Sequence, residues 1–270
     1  TQKLIWSPNT CVVDPKSVVK KLAEKLIEMG VEIIYGANIF KINSYENTIN
    51  YSIDLFTKSC SYGHLFNCCG VNTDSIAKKF GIAKEYKILP FKGIYWKLKD
   101  SSSLSFNTNI YPVPDLNLPF LGVHITPNLN GEVFFGPTAF PAFGKENYYG
   151  FNGFEPLLTS QFISTLTLQW LKNRNGFRKY AYEQGLHGFK PFFLKAVQAI
   201  VPILKNEDLI KSSKVGIRAQ LFDKNKKELV QDFKLINGEN STHVLNAISP
   251  AFTASFALAD LIIEKSKFFD

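Results

Sequence analysis

The sequence predicts a mixed α/β fold in which the chain leaves one α/β domain, forms a mainly antiparallel module and then returns. Residues 1–85 mix helices with short strands, whereas residues 86–145 are rich in strands, aromatic residues and prolines and lack helical spacing. Residues 156–211 follow a helical pattern, and the tail returns to strands before a closing helix. The expected domains are 1–85, 86–211 and 212–270.

Composition supports a folded protein with a large core. The chain has 270 residues, of which 45% are apolar and 20% charged, so disorder is not expected. No apolar run reaches the roughly 18 residues that cross a bilayer, and no signal peptide opens the chain. We therefore expect a soluble, cytoplasmic protein.

The formal net charge is +8, but the lysines are scattered along the chain. That pattern favours a solvated surface and argues against a nucleic-acid partner. A cationic pocket for an acidic small molecule and weak attraction to an anionic membrane surface are the alternatives.

The four cysteines indicate buried, reduced thiols. Cys68 and Cys69 are adjacent in the apolar stretch LFNCCG, and the other two are Cys11 and Cys60. No two of these cysteines have the C-x-x-C spacing. We expect no metal site and no disulfide, which fits a reducing compartment.

The first segment should open with a strand in TQKLIW and continue into a helix. Asp14 is a good N-cap, Pro15 suits the first helical position, and Gly30 ends the apolar helical repeat. Short strands are expected in VEIIYG, IFKIN, INYSIDLF and SCSYGHLFNCCG, followed by a helix in VNTDSIAKKFG.

The middle module and the tail follow the same reasoning. Strands are expected in YKILPFKGIYWKLK, TNIYPVP, FLGVHIT and GEVFFGP, and helices in SQFISTLTLQWLKNR, RKYAYEQGL and PFFLKAVQAIVPIL. The tail should form strands in KVGIRAQLFD, LVQDFKLIN and HVLNA, and then the last helix.

Two turns are candidate ligand sites. Gly70 follows an expected strand, where a glycine lets a ligand approach the backbone; a tight turn without a ligand is the alternative. Ser249 and Pro250 are expected to begin the last helix, with Ala251 and other small residues behind them. The N–H groups of a helix start favour an anion, and a helix capped by Ser249 itself is the alternative.

Arg218 and His124 are candidate chemical groups. Arg218 lies in an apolar strand and needs a carboxylate partner, supplied either by the protein or by a substrate. His124 lies in the antiparallel module and is either a packed histidine or a base that takes a hydroxyl proton. Tyr111, Tyr95 and Lys92 lie on expected neighbouring strands, where they would line the same cavity as His124.

Six stretches, spread in this order over nearly the whole chain, resemble the L-2-hydroxyglutarate oxidases and dehydrogenases, which are FAD enzymes of the D-amino-acid-oxidase-like superfamily. They are VVDPKSVVKKLAEKLIEMGVEI, NCCGVNTDSIAKKFG, LPFKGIYWKLK, NIYPVPDLNLPFLGVHIT, VGIRAQLFD and HVLNAISPAFTASFALADLI. The resemblance implies a Rossmann-like FAD-binding domain interleaved with a substrate domain.

The resemblance also implies a reaction, in which L-2-hydroxyglutarate is oxidised to 2-oxoglutarate by hydride transfer to FAD. Electrons then pass to oxygen or to a membrane quinone pool, so a peripheral place at the inner membrane face is an alternative to a purely cytoplasmic one. An amine or amino-acid oxidase of the same superfamily is the alternative function.

Site residues carry over position by position. The resemblance places Cys69, Gly70 and Val71 near FAD, and Ser249, Pro250 and Ala251 in the loop by the isoalloxazine ring. It makes Arg218 the clamp for the substrate carboxylate. His124 and Tyr111 match positions of the substrate module and are expected to be catalytic, while Lys92 and Tyr95 are expected to bind the dicarboxylate substrate.

The chain departs from the family pattern in several places. Lys92 stands where arginine is preferred, Cys11 where glycine is usual, and Ile248 replaces a proline. No G-x-G-x-x-G loop, which seats the FAD pyrophosphate, occurs in the chain.

The missing loop leads to expectations about the product itself. We expect a shortened form that is colourless when purified or loses FAD on dialysis, with a non-catalytic remnant as the alternative; a stable yellow preparation would contradict this. The sheet edge that the missing strand would leave open favours a homodimer or aggregation.

Overall fold

A computed structural model describes residues 4–113, 122–173, 176–266 and 268. The chain divides into two compact units. Unit one runs up to Val31 and continues as Phe91–Ile217, whereas unit two consists of Glu32–Pro90 and the chain from Arg218 onward. The predicted mixed α/β class with antiparallel sheets is confirmed, and the functional roles given to the expected domains stay predictions.

The helices are α1 (Pro15–Glu28), α2 (Thr73–Lys79), α3 (Pro156–Lys172), α4 (Phe177–Leu186), α5 (Lys190–Gln198) and α6 (Ser255–Lys265). The strands are β1 (Asn38–Asn43), β2 (Thr48–Ile53), β3 (Phe56–Ser61), β4 (Leu65–Asn67), β5 (Tyr86–Leu98), β6 (His124–Pro127), β7 (Val133–Gly136), β8 (Phe140–Pro141), β9 (Leu209–Asp223), β10 (Glu228–Leu229), β11 (Lys234–Gly238) and β12 (Ser241–Asn246).

The first helix forms where its local signals predict it. The Asp14 carboxylate accepts hydrogen bonds from the backbone N–H groups of Lys16 and Ser17, and Pro15 is the first helical residue. The strand expected just before it is wrong for residues 4–6, which are irregular. Ile5 is fully exposed, and a β-forming composition does not make a strand without a neighbour to pair with.

Strands β6, β7 and β8 and most of β5 and β9 lie in unit one and belong to a six-stranded sheet of order β10–β9–β5–β7–β6, in which β8 pairs with β5. The pairs β5–β7, β6–β7, β5–β8 and β9–β10 are antiparallel. Helix α5 packs on this sheet, and the Trp96 and Phe193 rings lie 5.9 Å apart. Of the stretch TNIYPVP, only Ile110 pairs, in an isolated bridge with Ile125, so the strand expected there is wrong for the described residues. The core cluster comprises Trp96, Leu98, Val123, Ile125, Val133, Phe135, Phe193, Val197, Val201, Leu204 and Leu209.

Unit two contains two three-stranded sheets, β1–β2–β3 and β11–β12–β4. In the second sheet β4 and β12 are parallel, and β11 is antiparallel to β12. The strand expected in VEIIYG is wrong, because residues 31–36 are irregular and lie between Gly30 and Gly36, which both have positive φ. The core cluster comprises Ala77, Ala83, Tyr86, Ile88, Leu221 and Leu245.

The last helix begins at Ser255 and not at Pro250 as expected. Residues 249–254 form turns, in which the N–H of Ala251 bonds to the Ile248 carbonyl and the N–H of Ala254 bonds to the Pro250 carbonyl. The N-cap is Ala254, whose side chain caps nothing. The expectation that Ser249 and Pro250 open the helix is therefore wrong, because local turn bonds hold these residues outside it.

In the described part of the chain, we find no helix with both the length and the apolar character needed to cross a bilayer.

Candidate functional site

One edge of unit two brings together both groups of predicted cofactor residues. Strands β4 and β12 are parallel neighbours, with Leu65 opposite Ser241 and Asn67 opposite His243. Their carboxyl ends therefore lie at the same edge of the sheet. The stretch 69–71 follows β4, and the stretch 249–251 follows β12. Ligands of α/β sheets bind at such an edge, and we call it the cofactor edge.

Gly70 leaves the cofactor edge open. Its φ is +52°, in the left-handed region that favours glycine. A Cβ added at Gly70 would meet no atom within 4 Å. A flat ring can thus approach the backbone at this turn without a side chain in the way.

Asn67 is the buried polar residue behind the cofactor edge and is 1% exposed. Its amide nitrogen lies 2.9 Å from the Thr73 carbonyl oxygen and 3.0 Å from Nδ1 of His243. Its amide oxygen accepts a hydrogen bond from the N–H of Cys69 at 3.3 Å. The Thr73 hydroxyl donates to the Val244 carbonyl at 2.9 Å. Side-chain hydrogen bonds therefore join β4, α2 and β12.

His243 is completely buried in this network. Its Nε2 lies 3.1 Å from the Ser241 hydroxyl, and its ring packs edge-on against Phe80. Burial, and to a smaller extent the charge of His64, lowers the pKa of His243 to about 4. The imidazole is therefore neutral at physiological pH.

In unit one, the structure brings Tyr111 and His124 together. Their ring centroids are 4.6 Å apart at an interplanar angle of 31°. Nδ1 of His124 lies 3.0 Å from the Gly122 carbonyl oxygen, which can only accept, so Nδ1 carries the hydrogen. In the neutral ring, Nε2 then has the lone pair that can take a proton.

Lys92 contacts Asn147, which sequence reasoning missed. The ammonium of Lys92 donates to the amide oxygen of Asn147 at 2.9 Å, and partial burial lowers the pKa of Lys92. Asn147 is completely buried, and its amide nitrogen donates to the carbonyls of Gly150 and Asn152. It orders the loop that runs beside Lys92.

Tyr95 has different neighbours from those of Lys92. The Lys214 ammonium lies 4.8 Å from the centroid of the Tyr95 ring and 4.4 Å from that of Phe134. Burial is the main cause that lowers the pKa of Lys214. These contacts do not join Tyr95 to Lys92, so a shared cavity stays a prediction.

Arg218 lies on β9 and is the first residue of the second segment of unit two. It is partly buried, and its Nη1 atom is shielded from solvent. Arg218 thus belongs to the same unit as the cofactor edge, whereas the other predicted substrate residues belong to unit one.

Comparison with known families gives the class of protein, the FAD-dependent oxidoreductases. The model of the FAD dependent oxidoreductase family (DAO) matches residues 2–265, and the chain belongs to this family. The mitochondrial L-2-hydroxyglutarate dehydrogenase of Caenorhabditis briggsae is 33% identical over 98% of this chain. The L-2-hydroxyglutarate dehydrogenase of Indibacter alkaliphilus is 35% identical over 96%. The chain spans only 62% and 64% of the lengths of these two curated relatives.

A solved structure shares the fold. L-α-glycerophosphate oxidase from Mycoplasma pneumoniae, dithionite reduced and with FAD bound, superimposes with a TM-score of 0.59. The match covers 91% of this chain and 54% of that one, at 17% identity.

The residues of the cofactor edge fit the ring end of FAD. The open backbone at Gly70 leaves room for a flat group to approach this edge. For the pyrophosphate, the usual G-x-G-x-x-G run is not found in this sequence. The fit therefore concerns the flavin ring alone.

Proposed function

We propose that the protein oxidises L-2-hydroxyglutarate to 2-oxoglutarate with FAD as its electron acceptor. The observation that carries the proposal is identity of 33% and 35% to two L-2-hydroxyglutarate dehydrogenases over nearly the whole of this chain. When bound, FAD supplies the acceptor for the hydrogen and two electrons that leave C2 of the substrate.

A dicarboxylate substrate needs cationic partners. In the proposed roles, the planar fork of Arg218 holds one carboxylate and the Lys92 ammonium attracts the other. Tyr95 is proposed to bind the substrate as well. The hydrogen bond from Lys92 to Asn147 supports this role, because it fixes where the ammonium lies.

His124 is proposed to take the hydroxyl proton of the substrate. As the hydrogen on C2 leaves with both electrons of its bond, the O–H electrons form the new C=O bond and the proton moves to Nε2 of His124. The hydrogen bond to Gly122 and the packed Tyr111 ring support this role, since they hold the imidazole in one orientation and one tautomer.

Anaerobic reduction of the flavin tests the proposal. The chain is saturated with FAD and mixed in turn with L-2-hydroxyglutarate, D-2-hydroxyglutarate, glycine, sarcosine and glycerol 3-phosphate. Loss of the oxidised flavin absorbance with L-2-hydroxyglutarate alone is the expected result. Bleaching by glycine or sarcosine would instead indicate an amine oxidase, and a chain that binds no FAD would be a non-catalytic remnant.

Several expectations about partners and place stay predictions. The reduced protein is reoxidised with and without vesicles that contain a quinone, and the rates show whether oxygen or a quinone is the electron acceptor. Sedimentation decides whether the chain is a homodimer. Fractionation of cells tests for a peripheral membrane contact and for a cytoplasmic location.

A further inference from the structure

We propose that Asn67 is a positioning residue that holds both loops of the cofactor edge in one arrangement, acting through Cys69 and His243. The proposal rests on the proposed function, because its consequence is flavin binding. It concerns a side chain behind the edge, to which the resemblance gave no role.

The orientation of the Asn67 amide follows from its partners. The Thr73 carbonyl oxygen only accepts hydrogen bonds, so the atom 2.9 Å from it must be the amide nitrogen. The N–H of Cys69 only donates, so the atom 3.3 Å from it must be the amide oxygen. The two observations agree, and a flipped amide would lose both bonds.

The amide then determines the tautomer of His243. One hydrogen of the amide nitrogen points to the Thr73 carbonyl, and the other points to Nδ1 of His243 at 3.0 Å. Nδ1 must therefore be unprotonated, and Nε2 carries the hydrogen that it donates to the Ser241 hydroxyl at 3.1 Å. The burial that lowers the His243 pKa supports the same neutral form.

The network joins the first loop of the cofactor edge to β12, the strand that leads into the second loop. Asn67 ends β4 and fixes the N–H of Cys69, immediately before Gly70. His243 lies on β12, which leads into the turn that contains Ser249. Because Asn67 is 1% exposed, water cannot easily replace its bonds, and truncation leaves the Cys69 N–H, the Thr73 carbonyl and His243 without this partner.

The test compares Asn67→Ala with Thr73→Val, a matched control. Thr73 is equally buried, and its hydroxyl bonds to β12, but the Thr73 side chain does not contact Cys69 or His243 through any bond described for it. Three quantities are measured for each folded variant: the FAD dissociation constant by fluorescence quenching, the His243 tautomer by imidazole nitrogen NMR, and amide hydrogen exchange at Cys69 and Gly70.

We expect Asn67→Ala to weaken FAD binding by about tenfold or more, to speed exchange at Cys69 and Gly70, and to remove the single tautomer of His243. Thr73→Val should lower stability but change all three quantities much less than Asn67→Ala does, because the bonds of Asn67 to Cys69 and His243 remain. Asn67→Asp should raise the His243 pKa, because a carboxylate cannot donate to Nδ1 and favours the protonated ring.

Equal FAD affinity in Asn67→Ala and the wild type would overturn the proposal. If the wild type itself binds no FAD, the proposed function fails, and the exchange rates decide the positioning role separately. Equal exchange rates at Cys69 in Asn67→Ala and Thr73→Val would then overturn the positioning role of Asn67. Faster exchange in Asn67→Ala would support that role.

Discussion

At the residue scale, Arg218 provides the sharpest test of the substrate. Replacement by alanine should weaken L-2-hydroxyglutarate binding by about 2–5 kcal/mol, because a substrate carboxylate loses a bidentate partner. Arg218→Lys keeps the charge but lacks the planar fork. Its affinity for L-2-hydroxyglutarate should therefore lie between those of the wild type and Arg218→Ala. Lys211→Ala is the control, since Lys211 is an exposed lysine of the same strand. Substrate binding is measured by the perturbation of the flavin spectrum. Equal affinities in Arg218→Ala and Lys211→Ala would mean that Arg218 does not bind the substrate carboxylate.

His243 makes a second residue-scale prediction, about pH. Its pKa is about 4 in the folded protein against a reference of 6.5, so folding disfavours its protonated form. The stability from the neutral ring is present in full above pH 6.5 and is lost as the pH falls toward 4. At pH 5 the loss is on the order of 2 kcal/mol.

Urea unfolding at pH 7 and pH 5 measures this loss. His243→Gln removes the titrating group and should lose less stability between the two pH values than the wild type. Leu55→Ala, a change at an exposed side chain without a titrating group, should behave as the wild type does. An equal loss in His243→Gln and the wild type would contradict the account of His243.

At the element scale, the loop after β8 depends on two glycines in close backbone approach. A Cβ added at Gly144 would lie 1.8 Å from the carbonyl oxygen of Gly153. The backbones at Gly144 and Gly153 cannot separate without breaking the turn. Gly144→Ala should therefore lower the free energy of unfolding by about 3 kcal/mol or more. Gly185 of α4 is the control, because a Cβ there meets nothing within 4 Å, and Gly185→Ala should be neutral or stabilising by up to about 1 kcal/mol.

Thermal and urea unfolding of the two alanine variants check this contrast. Similar stability of Gly144→Ala and Gly185→Ala would mean that the loop does not have the close approach described.

The elements also show where sequence reasoning succeeds. Helix α1 was predictable because its signals are local: Asp14 caps it, Pro15 opens it and Gly30 follows it. The start of α6 was not predictable. Ser249 and Pro250 carry the same local signals, but hydrogen bonds between neighbouring backbone groups hold this stretch in turns. Residues 31–36 have a strand composition, yet strands form only where a partner strand lies alongside.

The site was predictable only in part, for a similar reason. The glycine after LFNCC marked the end of β4, because turn chemistry is local. The contact of Asn67 with His243 joins residues 176 positions apart, and that of Lys92 with Asn147 joins residues 55 apart. No spacing within one segment reveals such pairs.

At the scale of the whole molecule, the proposed site residues divide between the two units. The cofactor edge and Arg218 lie in unit two, whereas Lys92, Tyr95, Tyr111 and His124 lie in unit one. Substitutions of these four residues of unit one should therefore change substrate affinity and leave FAD affinity near wild type.

The flavin ring is proposed to contact the cofactor edge, and alkylation of the chain's own cysteines measures this contact. Cys11, Cys60, Cys68 and Cys69 are all free and exposed, so the expectation that these thiols are buried is wrong. Partial burial nevertheless raises the pKa of Cys68 and of Cys69. Alkylation rates at each cysteine are measured by mass spectrometry at mildly alkaline pH, with and without FAD. We expect FAD to slow alkylation of Cys69 and its neighbour Cys68 and to leave Cys11 and Cys60 unchanged. If FAD binds and all four rates stay the same, the ring does not lie at this edge.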